Sequence, residues 1–100
     1  MVLVYKLTEK LPKNEEFGLK SQMRRASVSV LSNIAEGYLK SSKKEKIYFM
    51  EIAETSLLEV DAQADVCRRL GYWSEKDCGK FADKKSEVGY LLYRYKSKIA

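Results

Sequence analysis

The chain has 100 residues, carries a formal net charge of +5 and contains no histidine. Its length suits one domain with one core, and no apolar run reaches the roughly 18 residues that a membrane-spanning helix needs. The lack of histidine excludes Ser-His and Cys-His nucleophile pairs and the Glu-x-x-His ligands of di-iron bundles. We therefore expect a single soluble domain over residues 1–100, with no metal or cofactor and no enzymatic activity.

The excess of positive charge lies in the N-terminal half, where ten Lys and Arg residues face five Asp and Glu residues. Cys67 and Cys78 lack metal-ligand spacing and fit a reducing compartment. The N-terminus has neither the basic head nor the apolar run of a signal peptide. These features predict a cytoplasmic protein, and the positive charge favours an anionic partner such as nucleic acid.

The first predicted helix covers Val2 to Leu11 and ends at Pro12, because proline cannot continue the hydrogen-bond ladder. A polar turn follows, in which Asn14 is expected to cap the next helix. That second helix is predicted from Phe17 to Leu39, with core-facing residues at steps of three and four. This stripe contains Leu19, Met23, Ala26, Val30, Asn33 and Gly37, and it is widened by Ile34 and Tyr38.

The third predicted helix is the longest, at about 28 residues or 42 Å. It begins with the capping box Ser42-Lys43-Lys44-Glu45, and Gly71 is placed for a left-handed C-terminal cap. Its core stripe contains Phe49, Ala53, Ser56, Val60, Gln63, Cys67 and Leu70. A weaker capping box, Ser74-Glu75-Lys76-Asp77, begins the fourth helix. The apolar side of that helix contains Phe81, Val88, Leu92, Tyr95 and Ile99.

Four helices joined by short connections predict an all-α, antiparallel, up-down-up-down four-helix bundle. The first helix, with at most 11 residues or about 17 Å, is too short to cover the groove between its neighbours along its full length. The open part of the groove should lie towards the lysine-rich end of the bundle, at which the chain starts. We expect another subunit to close this groove, unless the start of the chain is truncated.

In this topology the connection at 39–42 and the C-terminus of the fourth helix share one end of the bundle. Seven cations are expected to gather there: Lys40, Lys43, Lys44, Lys46, Arg94, Lys96 and Lys98. Arg24 and Arg25 either extend this patch or pair with acids on a neighbouring helix. Such a cluster is suited to neutralising nucleic-acid phosphates, and a solvated helix end is the alternative interpretation.

Polar residues also occur on the facing stripes of the second and third helices. We expect four of them to cross-link these helices by hydrogen bonds, with a functional pocket as the alternative: Asn33, Glu36, Ser56 and Glu59. The seven tyrosines are of a type that stacks on nucleic-acid bases. Tyr38, Tyr90 and Tyr95 are nevertheless better explained by packing within the core or at its rim.

Two motifs in the second helix carry a family resemblance, Gly18-Leu19-Lys20-Ser21-Gln22-Met23-Arg24-Arg25-Ala26 and Ser32-Asn33-Ile34-Ala35-Glu36-Gly37. Ser42-Lys43-Lys44-Glu45 with Phe49, and Leu70-Gly71-Tyr72, extend the likeness over nearly the whole chain. The pattern resembles the family of proteins encoded by intervening sequences in bacterial 23S rRNA genes. Leu31 departs from it, because the family usually has proline there.

The resemblance implies a four-helix bundle, commonly a homopentamer, and most such proteins have no established activity. One similar branch, the accessory variability proteins of diversity-generating retroelements, is basic, binds nucleic acid and partners a reverse transcriptase. The first hypothesis is therefore an oligomeric bundle that binds RNA, or a ribonucleoprotein or reverse-transcriptase partner, through the cationic end and Arg24/Arg25. The second is a self-assembling scaffold with no nucleic-acid role. An enzyme would need a perturbed carboxylate in a cleft, such as Glu36 or Glu59.

Overall fold

The computed structural model describes residues 2–99, and its long elements are four α-helices. They are α1 (Val2–Thr8), α2 (Leu19–Leu39), α3 (Lys43–Arg69) and α4 (Glu75–Ile99), with a short 3-10 helix at Lys13–Glu15. The predicted four-helix bundle with a short first helix is confirmed. Within residues 2–99, no helix has the length and apolar character needed to cross a membrane.

Local capping signals set most of the helix boundaries. The Ser42 hydroxyl accepts a hydrogen bond from the Glu45 backbone N–H at 3.0 Å, as the capping box predicts. At the other end of α3, Gly71 has a φ of 76°. This left-handed conformation, which glycine adopts without steric cost, allows the Tyr72 N–H to bond the Cys67 carbonyl at 2.9 Å.

The boundaries on either side of Pro12 differ from those expected. Helix α1 ends at Thr8, and Leu11 follows in a turn in which its N–H bonds the Thr8 carbonyl. The cap expected at Asn14 is wrong. Helix α2 begins after Gly18, and Glu15 accepts the Leu19 backbone N–H at 3.3 Å, because the 3-10 helix brings that carboxylate next to the first turn.

The core consists of two clusters along the long axis of a molecule measuring 43 × 24 × 18 Å. The first cluster contains Val4, Leu7, Leu11, Met23, Ala26, Val60, Ala64, Cys67, Trp73 and Phe81. The second contains Val30, Met50, Ala53, Leu57 and Leu92. Trp73 joins α1 to the first cluster by donating its indole N–H to the Leu7 carbonyl at 2.9 Å. No residue of α1 belongs to the second cluster, so three helices build that half.

The core stripes follow the spacing in the sequence, but that of α3 is wider than expected, because Met50, Leu57 and Ala64 are buried as well. Further differences lie near helix ends. Tyr38 and Leu70 were expected to face inward, but both are exposed. Each lies in the last turn of a helix or directly after it, where the neighbouring helices no longer cover its position. Leu31 of α2 and Leu91 of α4 are also exposed, and α1, with only 7 residues or about 10 Å, covers only part of the length of these two helices.

Candidate nucleic-acid interface

The last turns of α4 lie along the first turns of α3. Lys96 Nζ is 3.1 Å from a Glu54 carboxylate oxygen and 3.9 Å from Glu51, while Tyr95 and Ile99 pack against the second core cluster. This pairing brings the cations of the α2–α3 connection and those of the α4 C-terminus to the same end of the molecule. We call this the basic end, and it comprises Lys40, Lys43, Lys44, Lys46, Arg94, Lys96 and Lys98.

Three of the cations at the basic end are paired with other groups of the protein. Lys96 bridges to the two acids of α3, as described above. Lys40 lies 3.8 Å from the Glu36 carboxylate one turn earlier. Lys46 Nζ donates to the Tyr38 carbonyl at 3.0 Å and to the Gly37 carbonyl at 3.5 Å. Lys46 thereby adds to the hydrogen bonding of the carbonyl groups at the end of α2, where the Gly37 carbonyl also accepts the Lys40 backbone N–H at 3.3 Å.

The remaining four cations point into solvent. Lys43, Lys44, Arg94 and Lys98 are exposed, and within residues 2–99 none of the four has an ion pair. Lys43 and Lys44 occupy the first turn of α3, where the helix dipole is positive and disfavours a cation. An anion placed there would interact favourably with both lysines and the dipole, so this part of the basic end is suited to binding phosphate.

Arg24 lies away from the basic end, about 24 Å along α2 from Lys40. Its guanidinium donates to the Thr8 hydroxyl at 2.9 Å, the Tyr5 carbonyl at 3.1 Å and the Glu9 carboxylate at 2.6 Å. These bonds fasten α1 to α2, and the hydrogen bond from Arg24 is the main cause that lowers the pKa of Glu9. Two roles were expected for Arg24, and in the structure it pairs with a neighbouring acid, Glu9. Arg25 is exposed beside it.

The polar residues between α2 and α3 are joined through Ser29. The hydroxyls of Ser29 and Ser56 are 2.9 Å apart, and the Asn33 amide donates to the Ser29 carbonyl at 2.8 Å and to its hydroxyl at 3.1 Å. Glu36 and Glu59 are exposed instead, with Glu36 near Lys40 of its own connection. Ser29 was not predicted as a hydrogen-bonding partner, although it lies one helical turn before Asn33, a spacing that allows the two side chains to bond.

One thiol and two acids of α3 have distinct surroundings. Burial raises the pKa of the Cys67 thiol to about 11, so it is not a thiolate near neutral pH. Asp61 pairs with Lys85 at 3.2 Å, and Asp65 pairs with Arg68 and Arg69 at 2.8 and 2.7 Å. Among residues 2–99 no three His, Cys, Asp or Glu side chains are grouped so as to hold a metal ion.

The positions of the tyrosines differ most from expectation. Tyr95 is half-buried against the second core cluster, as predicted, but Tyr38 and Tyr90 are exposed. Tyr48 and Tyr93 are exposed as well, so four exposed tyrosine rings lie in the half of the molecule that carries the basic end. The exposure of Tyr48 and Tyr93 could be predicted from the sequence, since neither residue falls on the core stripe of α3 or α4.

Comparison with known proteins agrees with this fold. The sequence matches the 23S rRNA-intervening sequence protein family over residues 1–94. The crystal structure of a protein with unknown function from the S23 ribosomal protein family of Bacteroides thetaiotaomicron VPI-5482 is similar, with 22% identity and a TM-score of 0.85. The alignment covers 95% of this chain and 89% of that one, and at this identity the likeness concerns the fold. A search of curated proteins finds no match.

Proposed function

The chain belongs to the 23S rRNA-intervening sequence protein family, and we propose that it is a non-enzymatic bundle that binds RNA through its basic end. The observation that carries this proposal is a group of exposed cations that form no ion pair among residues 2–99, namely Lys43, Lys44, Arg94 and Lys98. Their charges are contributed by two helices whose ends are held side by side through Lys96. Phosphates bound there would release counterions, and this release gives binding a steep salt dependence.

A charge-reversal variant tests the proposal. We expect the combined change Lys43→Glu, Lys44→Glu and Lys98→Glu to weaken binding of a labelled RNA by about tenfold or more, and to reduce the salt slope by about 2 for a single strand. Lys46 is left unchanged because it caps α2. Binding is measured by fluorescence anisotropy over a series of salt concentrations.

A matched variant controls for net charge. Lys13, Lys76 and Lys80 are exposed and lie at the opposite end of the molecule, around the start of α4. The combined Lys13→Glu, Lys76→Glu and Lys80→Glu variant has the same net charge as the first variant, and we expect it to retain most of the RNA affinity. Equal loss in the two variants would mean that the charge acts over the whole surface and would reject the basic end as the binding site.

Self-association is a second proposed property, and it is supported by the exposed apolar side chains of Leu31 and Leu91, which adjoin Val30 and Leu92 of the second core cluster in the sequence. Exposed apolar surface of this kind is typical of an interface between protein chains. The family resemblance gives five as the expected number of subunits. An oligomer would also present several basic ends to one RNA, which raises the overall affinity through multivalency.

A further inference from the structure

Four tyrosine rings stand in solvent in the half of the molecule that carries the basic end, although a tyrosine ring carries enough apolar area to favour burial. They are Tyr38 at the end of α2, Tyr48 near the start of α3, and Tyr90 and Tyr93 in the last turns of α4, exposed by 69%, 60%, 59% and 63%. The other three tyrosines are engaged. Arg24 covers the ring of Tyr5, the Tyr72 hydroxyl donates to Glu15, and Tyr95 packs against the core.

Cations of the basic end lie next to two of these exposed rings. Lys46 Nζ is 5.8 Å from the centre of the Tyr38 ring, and the guanidinium carbon of Arg94 is 5.9 Å from the centre of the Tyr90 ring. Lys46 is held in place by its hydrogen bond to the Tyr38 carbonyl at 3.0 Å. A flat apolar surface and a positive charge are thus presented side by side at two points.

The third exposed ring, Tyr48, contacts a second aromatic ring that has a cation nearby. The ring centres of Tyr48 and Phe49 are 5.2 Å apart with an interplanar angle of 82°, so the two rings meet edge to face. Lys40 Nζ lies 5.4 Å from the centre of the Phe49 ring. A nucleotide also carries a flat base next to a charged phosphate, and this arrangement of rings and cations is complementary to it.

We infer that the exposed tyrosines Tyr38, Tyr48, Tyr90 and Tyr93 make the basic end selective for unpaired RNA over duplex RNA. The inference rests on the RNA binding proposed above and names the class of RNA that is bound. Unpaired bases stack on aromatic side chains, and each stack contributes roughly five- to 150-fold in affinity. In a duplex the base faces are covered by neighbouring bases, so a protein contacts mainly phosphates and 2′-hydroxyls. The tyrosines therefore add affinity only for the unpaired strand.

The test compares a labelled, unstructured 12-nucleotide RNA with the duplex that it forms with its complement. We expect the wild-type protein to bind the single strand at least tenfold more tightly than the duplex at the same salt concentration. Replacing all four tyrosines by leucine should lower single-strand affinity at least tenfold and change duplex affinity by less than about twofold. Replacing all four by phenylalanine keeps the rings and should retain the preference.

Two controls accompany these measurements, one for binding and one for folding. Tyr5→Leu removes a ring that Arg24 already covers at the other end of the molecule, and it should leave both affinities unchanged. The fluorescence of Trp73, which is buried in the first core cluster, shows that each variant is folded.

The possible failures are distinguishable. Equal affinity of the wild type for the two RNAs, or equal losses in the leucine variant, would overturn the inference and leave phosphate binding intact. If the wild type retains neither RNA, the proposed function fails and the inference fails with it.

Discussion

Asp77 is a buried carboxylate that joins three segments at the end of the molecule opposite the basic end. It accepts hydrogen bonds from Lys10 Nζ at 2.8 and 3.0 Å and from the Ser74 backbone N–H at 3.1 Å. The Ser74 hydroxyl in turn accepts the Asp77 N–H at 3.1 Å, which completes the capping box of α4. The hydrogen bond from Lys10 is the main cause that lowers the pKa of Asp77 below its ordinary value of 3.8.

Because the folded-state pKa of Asp77 is lowered, this group stabilises the fold above its unfolded pKa, and the stabilisation is lost as the pH falls through the folded value. We expect Asp77→Asn to lower the free energy of unfolding by about 2 kcal/mol at neutral pH, since hydrogen bonds to a charged group are lost. The difference between wild type and variant should shrink as the pH falls below the ordinary value of 3.8. Urea unfolding followed by Trp73 fluorescence measures it.

Asp65→Asn is the matched control, because Asp65 also has a lowered pKa, through its bonds to Arg69 and Arg68, but lies on the surface. Exposed ion pairs contribute little to stability, so this change should cost much less than Asp77→Asn does. A cost for Asp65→Asn that equals the cost for Asp77→Asn would contradict the argument from burial.

At the scale of single residues, the sequence reveals partners that are near in the chain and misses those that are distant. The capping box between Ser74 and Asp77 was predicted because its two members are three residues apart. Lys10, the third member of the group, is 67 residues from Asp77. A spacing rule within one helix carries no information about such a pair, and the same applies to the bond between Ser29 and Ser56.

At the scale of the helices, α2 and α3 lie close together at Gly37, which has less room for a Cβ than any other glycine in the structure. A Cβ added at Gly37 would lie 2.6 Å from Met50 Cε, 3.0 Å from Phe49 Cβ and 3.3 Å from the Lys46 carbonyl oxygen. The methionine end is flexible, but the other two atoms belong to the backbone or lie next to it. Substitution therefore requires α3 to shift away from α2.

We expect Gly37→Ala to lower the free energy of unfolding by about 1–2 kcal/mol, because overpacking outweighs the better helix propensity of alanine. Gly79→Ala is the control, since a Cβ at Gly79 meets nothing within 4 Å. That variant should be stabilised by up to about 1 kcal/mol. Thermal or urea unfolding of both variants measures the two effects, and stabilisation of Gly37→Ala would show that the helices are not in close contact there.

Helix boundaries were predictable where a cap is local and less so where the cap depends on a folded turn. Ser42 and Gly71 marked the two ends of α3 from the sequence alone. The start of α2 was misplaced because Glu15 reaches the Leu19 N–H only after the 3-10 helix has formed. The exposure of Tyr38 was missed for a related reason, since it depends on how far neighbouring helices extend.

At the scale of the whole molecule, the length of α1 determines how the two halves differ. In the first core cluster Val4 and Leu7 complete a four-helix packing around Trp73. In the second cluster α2, α3 and α4 pack without α1, and Ile34 and Val88 are only partly buried at its edge. The half that carries the basic end is therefore the half with an incomplete apolar covering.

We expect the incompletely covered side of the second core cluster to mediate self-association. We expect light scattering to give a mass at least twice the 11.5 kDa of one chain, because association buries apolar surface in the half that contains the second core cluster. The combined variant Leu31→Glu and Leu91→Glu places charges on that surface, and it should dissociate to monomers while remaining folded. Val66→Glu, at an exposed position of α3 outside its core stripe, should leave the mass unchanged. A wild-type protein that stays monomeric and binds no hydrophobic dye would rule out self-association through this surface.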